Sequence, residues 1–266
     1  MGLMTVTYGS LVYEAAENIA VPHGFTTRLG GVSTGVLSSL NLGNHRGDTP
    51  ETVAENYRRL GQAIGFSPEQ LVLTRQIHSD IVRQVGRKDA AGLDHRMYPE
   101  CDGLITNEPG VGLVVFSADC TPILLHDPVT GAVGAVHAGW RGTASGIAGK
   151  AVEAMVSAFG ARPGDIRAAI GPNIAQCCFE TDADVPEAME KALGDTAGKY
   201  IRKADRKYYV NLKGLNEAVL RRAGVEFIEI SEECTACQPE KYWSHRVTRG
   251  ERGAQGAVII CKEVGL

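Results

Sequence analysis

A thiol and an imidazole, each at the end of an apolar run, are the clearest candidates for chemistry in this chain. The first run leads through Asp119 to Cys120, and the second run, Ala132–His137, ends in an imidazole. Segment 127–131, Asp-Pro-Val-Thr-Gly, is a turn signal between them, so we expect two neighbouring strands joined by a short connection. Both side chains then lie at the rim of a rigid sheet, where binding groups are usually held.

His78 completes a set of donors that suits zinc. It lies in segment 76–80, Gln-Ile-His-Ser-Asp, between two further strand-like runs. Zn²⁺ accepts imidazole nitrogen and thiolate sulfur, and three protein ligands leave its fourth tetrahedral position for water or substrate, as catalytic zinc requires. An alternative stays open: Cys120 is an ordinary buried thiol and His137 a hydrogen-bonded core histidine, because no close-spaced pair such as His-Glu-x-x-His is present.

The turn after His137 predicts an anion pocket beside this metal site. Segment 138–143, Ala-Gly-Trp-Arg-Gly-Thr, connects a strand to a helix, and the free N–H groups of a helix N-terminus bind anions. Arg141 adds a guanidinium fork, and the glycines let the backbone come close to a ligand. We therefore assign Arg141, Gly142 and Thr143 to phosphate or substrate binding. The alternative is a helix capped by Thr143, with Trp140 packed in the core.

A long polar stretch near the N-terminus is a further candidate for a binding surface. Segments 26–35 and 41–48 are rich in glycine and polar residues, and loops of this length in a compact domain are often functional. We expect Arg28 and His45 to line a polar pocket, with a solvated surface loop as the alternative.

The seven cysteines predict reduced thiols, since their number is odd and their spacing is too uneven for a disulfide framework. Cys234 and Cys237 form half of a zinc-ribbon pattern, but no second Cys-x-x-Cys is present to close four ligands. We interpret this pair as structural or incidental. Cys177 and Cys178 are adjacent and follow a Gly-Pro-Asn turn, and we expect them to pack in the interior, with a role for this turn at the rim of the site as the alternative.

Strand-like runs and helical periodicity alternate irregularly along the chain. We predict strands over Leu71–Gln76, Ile81–Val85, Gly112–Phe116, Ile123–His126, Ala132–His137, Ala168–Ile170, Phe227–Ile230 and Ala257–Cys261. We predict helices over Thr52–Ile64, Thr143–Phe159, Val185–Leu193 and Leu212–Ala223. This mixed order favours a layered α/β or α+β domain over a doubly wound sheet. Neither Gly-x-Gly-x-x-Gly nor a Walker sequence occurs, so no bound dinucleotide or NTP is expected.

Composition and charge restrict the class of partner. The chain has 266 residues, 44% of them hydrophobic and 22% charged, and we expect a soluble single domain over residues 1–266. Its formal net charge of -4 lacks the basic footprint of nucleic-acid binding. Since no signal-peptide pattern or membrane-spanning run occurs, we expect a cytoplasmic enzyme that acts on a small molecule, without nucleic-acid or membrane partners.

Several segments together resemble the YfiH/YlmD family, also known as laccase-domain or polyphenol oxidase proteins. In chain order they are HGFTTRLGGVSTG, SLNLGNHRGD, ENYRRL, QIHSDIV, ECDGLIT, ADCTPILL, AVHAGWRGT, IGPNIAQCCFE and CTACQPEKYWSHR. The resemblance implies a layered α/β/β/α sandwich with mixed sheets, and it maps metal ligands onto His78, Cys120 and His137. We also assign Asn173 and Arg246, which lie in the last two segments, to substrate binding.

The chain departs from the family pattern after residue 246. Family members usually have a Gly-Arg-Thr-Gly-Arg-like stretch after Ser-His-Arg, whereas residues 247–255 here are Val-Thr-Arg-Gly-Glu-Arg-Gly-Ala-Gln. Arg249 and Arg252 are therefore both candidates for the arginine of the family.

The resemblance implies a zinc-dependent purine nucleoside phosphorylase. Such an enzyme converts adenosine, inosine or methylthioadenosine, with phosphate, into the free base and ribose 1-phosphate. We expect Asp119, Cys120 and His137 to be catalytic, with Asp119 either carrying a proton or orienting a ligand. Adenosine deamination is the expected side activity. Copper is an expected substitute for zinc, because Cu²⁺ outcompetes Zn²⁺ at most nitrogen and sulfur ligand sets.

Two other activities would use the same residues. One is a metal-free hydrolase in which His137 deprotonates Cys120, and the other is an editing hydrolase for peptidoglycan precursors.

True multicopper laccase chemistry is not expected, because the seven histidines are scattered singly and no His-x-His pair occurs. A zinc-stabilised binding module is disfavoured, because a structural zinc normally has four protein ligands.

Overall fold

Two six-stranded sheets, packed face to face, form the centre of the protein. The computed structural model describes residues 2–94, 96 and 98–262. Its strands are β1 (Met4–Tyr8), β2 (Leu11–Ala15), β3 (His23–Thr26), β4 (Leu71–Leu73), β5 (Val82–Gln84), β6 (Gly103–Thr106), β7 (Gly112–Ser117), β8 (Thr121–His126), β9 (Val133–Ala138), β10 (Arg167–Ile170), β11 (Glu180–Thr181), β12 (Ile201–Ala204), β13 (Lys207–Val210), β14 (Phe227–Ile230) and β15 (Gln255–Ile260). Its α-helices are α1 (Pro50–Ile64), α2 (Trp140–Ala144), α3 (Ile147–Phe159), α4 (Asp184–Leu193), α5 (Leu212–Arg222) and α6 (His245–Thr248).

Both large sheets are mixed. The first has the strand order β1-β2-β3-β15-β7-β4, and the second has the order β14-β10-β8-β9-β6-β5. The pairs β4–β7, β5–β6 and β10–β14 are parallel, while β8 and β9 form an antiparallel pair. A small third sheet, β11-β13-β12, packs its apolar side chains with α4 and the start of α5.

The layers follow the order α/β/β/α, as the resemblance implies. The inner faces of the two sheets share one apolar cluster, which includes Leu113 of β7 and Ala135 of β9. The outer face of the second sheet packs on α3 and α5, and that of the first sheet packs on α1. Along β8, Leu124 belongs to the inner cluster, while Ile123 and Leu125 belong to the helix side. The middle of this strand, Ile123 to Leu125, is continuously apolar because both its faces are buried.

The predicted helix over Thr143–Phe159 is wrong, because the structure contains two helices there. α2 already begins at Trp140, and α3 begins at Ile147. Between them Gly146 has a φ of +74°, a left-handed conformation that interrupts the helix. The apolar stripe of the predicted helix begins only at Ile147, so it gives no sign of the separate helix before Gly146.

The remaining predicted helices correspond closely to α1, α4 and α5, whereas several strands escape prediction. β1 and β12 consist mostly of exposed or half-exposed residues, and so they have no apolar stripe to find. Among the helices that the structure describes, each is too short or too polar to cross a membrane.

One end of the second sheet gathers the candidate residues. Pro122 of β8 lies opposite His137 of β9, so Cys120, just before β8, lies beside the end of β9. β6 pairs with the other side of β9 and begins at the same end, directly after Asp102. His78 comes from the loop between β4 and β5. Strand register therefore brings together residues that are far apart in the chain.

Candidate metal centre

His78, Cys120 and His137 form a group that we call the three-donor centre. Their ligand atoms all lie within 4.8 Å of one another. His137 is buried, Cys120 is half-buried and His78 is exposed, so the group is closed on the side of the sheet and accessible on the other. Two imidazoles and a thiol are donors that both zinc and copper accept.

Gly139 has no side chain, and the three donors pack into the space beside its backbone. A Cβ atom built on Gly139 would lie 3.1 Å from Cδ2 of His78, 3.3 Å from Sγ of Cys120 and 3.7 Å from Cε1 of His137. A side chain at this position would therefore press on all three residues at once. The donors pack around bare backbone and face one another, which fits a group built to enclose a cation.

Asp102 is a residue of the candidate site that the sequence analysis missed. Its fully buried carboxylate lies 2.8 Å from Nδ1 of His137, which donates to it. The carboxylate also accepts from the Ser79 hydroxyl at 2.7 Å and from the backbone N–H groups of Ile77, His78 and Ser79. This contact leaves Nε2 of His137 for a ligand, which is the usual carboxylate–histidine–metal arrangement. The available signal was a charged residue at the start of an apolar run.

Electrostatics favour the ionised forms within this group. Burial opposes ionisation of Cys120, but the charge and hydrogen bond of His137 and the contact with His78 outweigh it and lower the pKa of the thiol to about 6. Burial likewise opposes charge on Asp102, yet hydrogen bonds from His137 and Ser79 lower its pKa to about 2. Cys120 and Asp102 in turn raise the pKa of His137 against the effect of its burial. A thiolate at neutral pH is the form of cysteine that binds metals.

The backbone beside the donors is held in a costly conformation. His78 has a φ of +57° and Asp119 a φ of +89°, values that non-glycine residues rarely adopt. Such residues cost about 1–3 kcal/mol each and persist only where surrounding contacts impose them. At His78, the backbone N–H donates to Asp102 at 3.1 Å. Strain of this kind is typical of functional sites.

The three-donor centre opens into a cavity of about 800 Å³. Four arginines line the same cavity, namely Arg46, Arg75, Arg96 and Arg252. Arg75 and Arg96 are paired with the carboxylates of Glu100 and Asp94. Four guanidinium groups thus line one cavity of a chain whose overall charge is negative, and carboxylates balance two of them.

Arg252 differs from the other arginines of the cavity because part of its guanidinium is buried. Its Nη1 donates to the carbonyl of Gly253, while its buried Nε has no hydrogen-bond partner among the described residues. Burial, and after it the charge of Arg46, lowers the pKa of Arg252 to about 10, so the group remains a cation at neutral pH. Arg249 is not among the cavity residues and has a φ of +52° at the end of α6. Of the two candidates, Arg252 is the one that lines the cavity.

The structure brings His45 to the cavity but not Arg28. The guanidinium of Arg28 donates to the carbonyls of Ser38 and Pro239 and lies 3.9 Å from the centroid of the Trp243 ring. These contacts hold loop backbone together, so Arg28 has a structural role in place of the predicted polar pocket.

Arg141, Gly142 and Thr143 are not among the residues that line this cavity, so the anion pocket predicted at α2 does not coincide with it. The exposed guanidinium of Arg141 stacks over the ring of Trp140, 4.2 Å from its centroid. Gly142 is buried, and the buried hydroxyl of Thr143 accepts from Nδ2 of Asn216 at 2.9 Å. The physical reason is the short α2 helix, which buries Gly142 and Thr143 and leaves Arg141 on its exposed side.

Asn173 and Arg246 also lie outside the cavity lining and stabilise backbone beside it. The buried amide of Asn173 donates to the Thr121 hydroxyl at 2.7 Å. The guanidinium of Arg246 donates to the carbonyls of Cys178 and Glu180. Asn173 therefore supports the start of β8 beside Cys120, whereas Arg246 joins α6 to segment 178–180.

Asp119 is nearly buried and uses both of its carboxylate oxygens within the protein. Oδ1 accepts from the Thr235 hydroxyl at 2.6 Å, and Oδ2 accepts from the backbone N–H of Arg246 at 2.6 Å. The residue does not line the cavity. This arrangement favours the orienting role for Asp119 over the proton-carrying role.

Comparisons with known proteins identify relatives over most of the chain. The family model described as multi-copper polyphenol oxidoreductase laccase matches residues 22–262. A purine nucleoside phosphorylase from Deinococcus radiodurans is 41% identical over 244 residues, which cover 92% of this chain and 90% of the relative.

Solved structures share the fold. The crystal structure of YlmD from Geobacillus stearothermophilus has a TM-score of 0.92 and 36% identity, and the match covers 98% of this chain and 100% of that chain. The crystal structure of Bacillus licheniformis YfiH has a TM-score of 0.92 and 33% identity, with 98% and 99% covered. These matches confirm the mixed α/β fold with several mixed sheets. The protein belongs to the YlmD/YfiH family, whose model is described as multi-copper polyphenol oxidoreductase laccase.

Proposed function

We propose that the protein is a zinc-dependent purine nucleoside phosphorylase. It would use phosphate to convert adenosine, inosine or methylthioadenosine into the free base and ribose 1-phosphate. The observation that carries the proposal is a three-donor centre opening into a cavity that arginines also line. The name of the Deinococcus relative supports the same reaction class.

His78, Cys120 and His137 would hold the zinc. Zinc bound there would supply a Lewis-acid charge next to the reacting groups. Asp102 keeps the imidazole of His137 in the orientation that leaves Nε2 free for a ligand. Copper would compete well for these donors, so copper in isolated protein would not by itself indicate an oxidase.

Arg252 supports the binding of phosphate. Its cationic guanidinium has a buried Nε without a partner among the described residues, and Arg46 adds like charge nearby. Two cations that repel each other are both stabilised when a dianion lies between them. We therefore assign the phosphate to these two residues, with His45 as a further polar contact.

The remaining cavity suits a nucleoside. Its volume of about 800 Å³ lies within the usual range for small-molecule sites. Tyr98 and Phe116 line it and offer aromatic surface for a purine ring. Binding phosphate and nucleoside in one cavity brings the reactants together, and such positioning lowers the barrier of a two-substrate reaction.

A metal-free thiol hydrolase is a second candidate with an observation in its favour. The lowered pKa of Cys120 and the raised pKa of His137 favour a thiolate beside an imidazolium when no metal is bound. Thiolates of this kind are nucleophiles. Full activity in protein freed of zinc would support this candidate against the phosphorylase.

Product analysis with metal-defined protein tests the proposal. Zinc-loaded protein should release adenine from adenosine only when phosphate is present, and Cys120→Ala should abolish the release. Cys261→Ala, which removes a buried thiol that is not among the cavity residues, serves as the control. Ammonia released from adenosine would reveal the proposed deaminase side activity. If zinc-loaded protein turns over none of the three nucleosides, the proposed function is wrong, and hydrolysis of a muramyl precursor would point to editing.

A further inference from the structure

A second group of metal-type donors lies outside the cavity. The sulfur atoms of Cys177, Cys178, Cys234 and Cys237 all lie within 4.8 Å of one another, and we call them the four-cysteine cluster. The sequence analysis interpreted these cysteines as two unrelated pairs. The structure instead brings the sulfur atoms of Cys177 and Cys178 next to those of Cys234 and Cys237, the pair that resembles half a zinc ribbon.

The sulfur separations fit a single tetrahedral ion. Sγ of Cys237 is 3.4 Å from that of Cys178 and 3.6 Å from that of Cys177, and the two adjacent sulfurs are 3.7 Å apart. A Zn–S bond of about 2.3 Å gives sulfur–sulfur edges of about 3.8 Å in a tetrahedron. A disulfide needs about 2.0 Å. A polynuclear iron–sulfur cluster would place iron and sulfide between the cysteines and hold their sulfurs farther apart.

Hydrophobic packing does not explain this cluster. Cys234 is buried, but Cys178 is only half-buried, and Cys177 and Cys237 are exposed. The expected interior packing of Cys177 and Cys178 is therefore wrong. Exposed thiols gain nothing from apolar burial, so another interaction must account for the meeting of all four.

Backbone contacts hold the two contributing segments together. Asn173 and Cys234 form a parallel β-bridge, and the N–H of Thr235 donates to the carbonyl of Asn173 at 3.0 Å. The N–H of Ala175 donates to Sγ of Cys234 at 3.3 Å. A sulfur that accepts a backbone hydrogen bond is stabilised as the thiolate that a metal requires.

Two cationic side chains, Lys213 and Arg246, lie beside the cluster. Four thiolates around one Zn²⁺ leave a net charge of about -2. The ammonium group of Lys213 interacts with the charges of Cys234 and Cys177, and the guanidinium of Arg246 donates to the carbonyl of Cys178 at 2.9 Å. These cations offset part of the negative charge that the complex would carry.

We propose that Cys177, Cys178, Cys234 and Cys237 bind a structural Zn²⁺, separate from the three-donor centre. Four protein ligands close the coordination shell, and a closed shell is the mark of structural zinc. Its role is to join segment 171–178 to segment 234–238.

This zinc would stabilise the backbone on which Cys120 sits. From one segment, the N–H of Ile174 donates to the carbonyl of Asp119 at 2.9 Å. From the other, the hydroxyl of Thr235 donates to the carboxylate of Asp119 at 2.6 Å. Asp119, directly before Cys120, is the residue with the left-handed backbone. Zinc bound by the four-cysteine cluster would therefore hold in place both segments whose contacts impose the conformation of Asp119.

Metal analysis of protein purified without chelator tests this proposal. Cys120→Ala should retain about one zinc per chain, and adding Cys237→Ser should reduce this to about none. Adding Cys261→Ala instead is the matched control and should leave the zinc content unchanged. The comparison uses only proteins that lack Cys120, so its result does not depend on the function of the three-donor centre. Zinc kept at the parent level after Cys237→Ser would overturn the proposal.

A spectroscopic measurement on Cys120→Ala checks the ligands without altering the cluster. Co²⁺ exchanged into this variant should give intense thiolate-to-cobalt absorption, because the cluster supplies four sulfur ligands. Absence of that absorption would refute the proposal. The same holds if iron occupies the freshly purified cluster, or if peptide mapping of protein purified without oxygen finds a disulfide among these cysteines.

Discussion

The three-donor centre and the four-cysteine cluster gather similar donors but differ in what surrounds them. The three-donor centre has three protein ligands, opens into a cavity and is backed by the buried carboxylate of Asp102. The four-cysteine cluster offers four sulfurs and is braced by backbone hydrogen bonds between two loops. The number of ligands and the surroundings, more than the donor type, separate an open, reactive arrangement from a closed, structural one.

Asp119 connects the two regions. Its carboxylate accepts from Thr235, which lies inside the Cys-x-x-Cys segment, and its neighbour along the chain is Cys120 of the three-donor centre. Loss of metal from the cluster should therefore loosen the centre, whereas loss of metal from the centre leaves the contacts of the cluster intact. This asymmetry makes the comparison testable.

Removal of a ligand from the three-donor centre should have the largest effect on activity. Cys120→Ala should lower kcat/KM for phosphorolysis at least about a thousandfold, since bound metal contributes several kcal/mol to the transition state. Steady-state kinetics with adenosine measures the effect, and zinc analysis should show the cluster still occupied. Loss of zinc from both groups would contradict the separation of the two sites.

Asp102→Asn should weaken metal binding at the three-donor centre without removing a ligand. The amide keeps the size of the side chain but removes the charge that orients the imidazole of His137, and such changes cost about 10- to 100-fold in metal affinity. Competition with a chromogenic chelator measures the change. Glu100→Gln, at an exposed carboxylate two residues away, should leave the affinity unchanged. Equal effects of both substitutions would remove the special role of Asp102.

Arg252→Ala should act on phosphate and spare the metal. Loss of charge-assisted hydrogen bonds predicts a rise in the apparent KM for phosphate of about tenfold to a hundredfold, with unchanged zinc content. Arg141→Ala is the matched control, because its guanidinium stacks on Trp140 outside the cavity lining. If Arg141→Ala raises this KM more than Arg252→Ala does, the phosphate site has been assigned to the wrong arginine.

Cys237→Ser should have the smallest effect on catalysis and a clear effect on stability. We expect kcat to fall less than about tenfold, because Cys237 does not line the cavity, while Tm falls by several degrees or more with the loss of the zinc. Thermal unfolding followed by circular dichroism, together with the kinetic assay, checks both. A large fall in kcat with Tm unchanged would contradict the structural role of the cluster.

Local sequence patterns predicted the buried strands and the helices well, because these depend on residues close together in the chain. Strands buried on both faces, such as β8, are recognisable from an uninterrupted apolar run, and α1 is recognisable from its periodicity and from Gly65 at its end. The break at Gly146 escaped because glycine is compatible with a helix and the apolar stripe begins only beyond it. Residue types alone made His78, Cys120 and His137 candidate zinc donors, with ordinary core residues as the alternative, and the family resemblance, not spacing, favoured the metal site.

The sequence by itself determined the donor types, the buried strands at whose ends they lie, and the layered fold class, because these follow from residue chemistry and short-range periodicity. Only the tertiary structure decided which distant residues meet. Strand order and register brought Asp102 to His137, placed Arg252 on the cavity where Arg141 had been expected, and joined Cys177 and Cys178 to Cys234 and Cys237. Such contacts depend on how whole sheets and loops pack, and no local pattern in the chain encodes that packing.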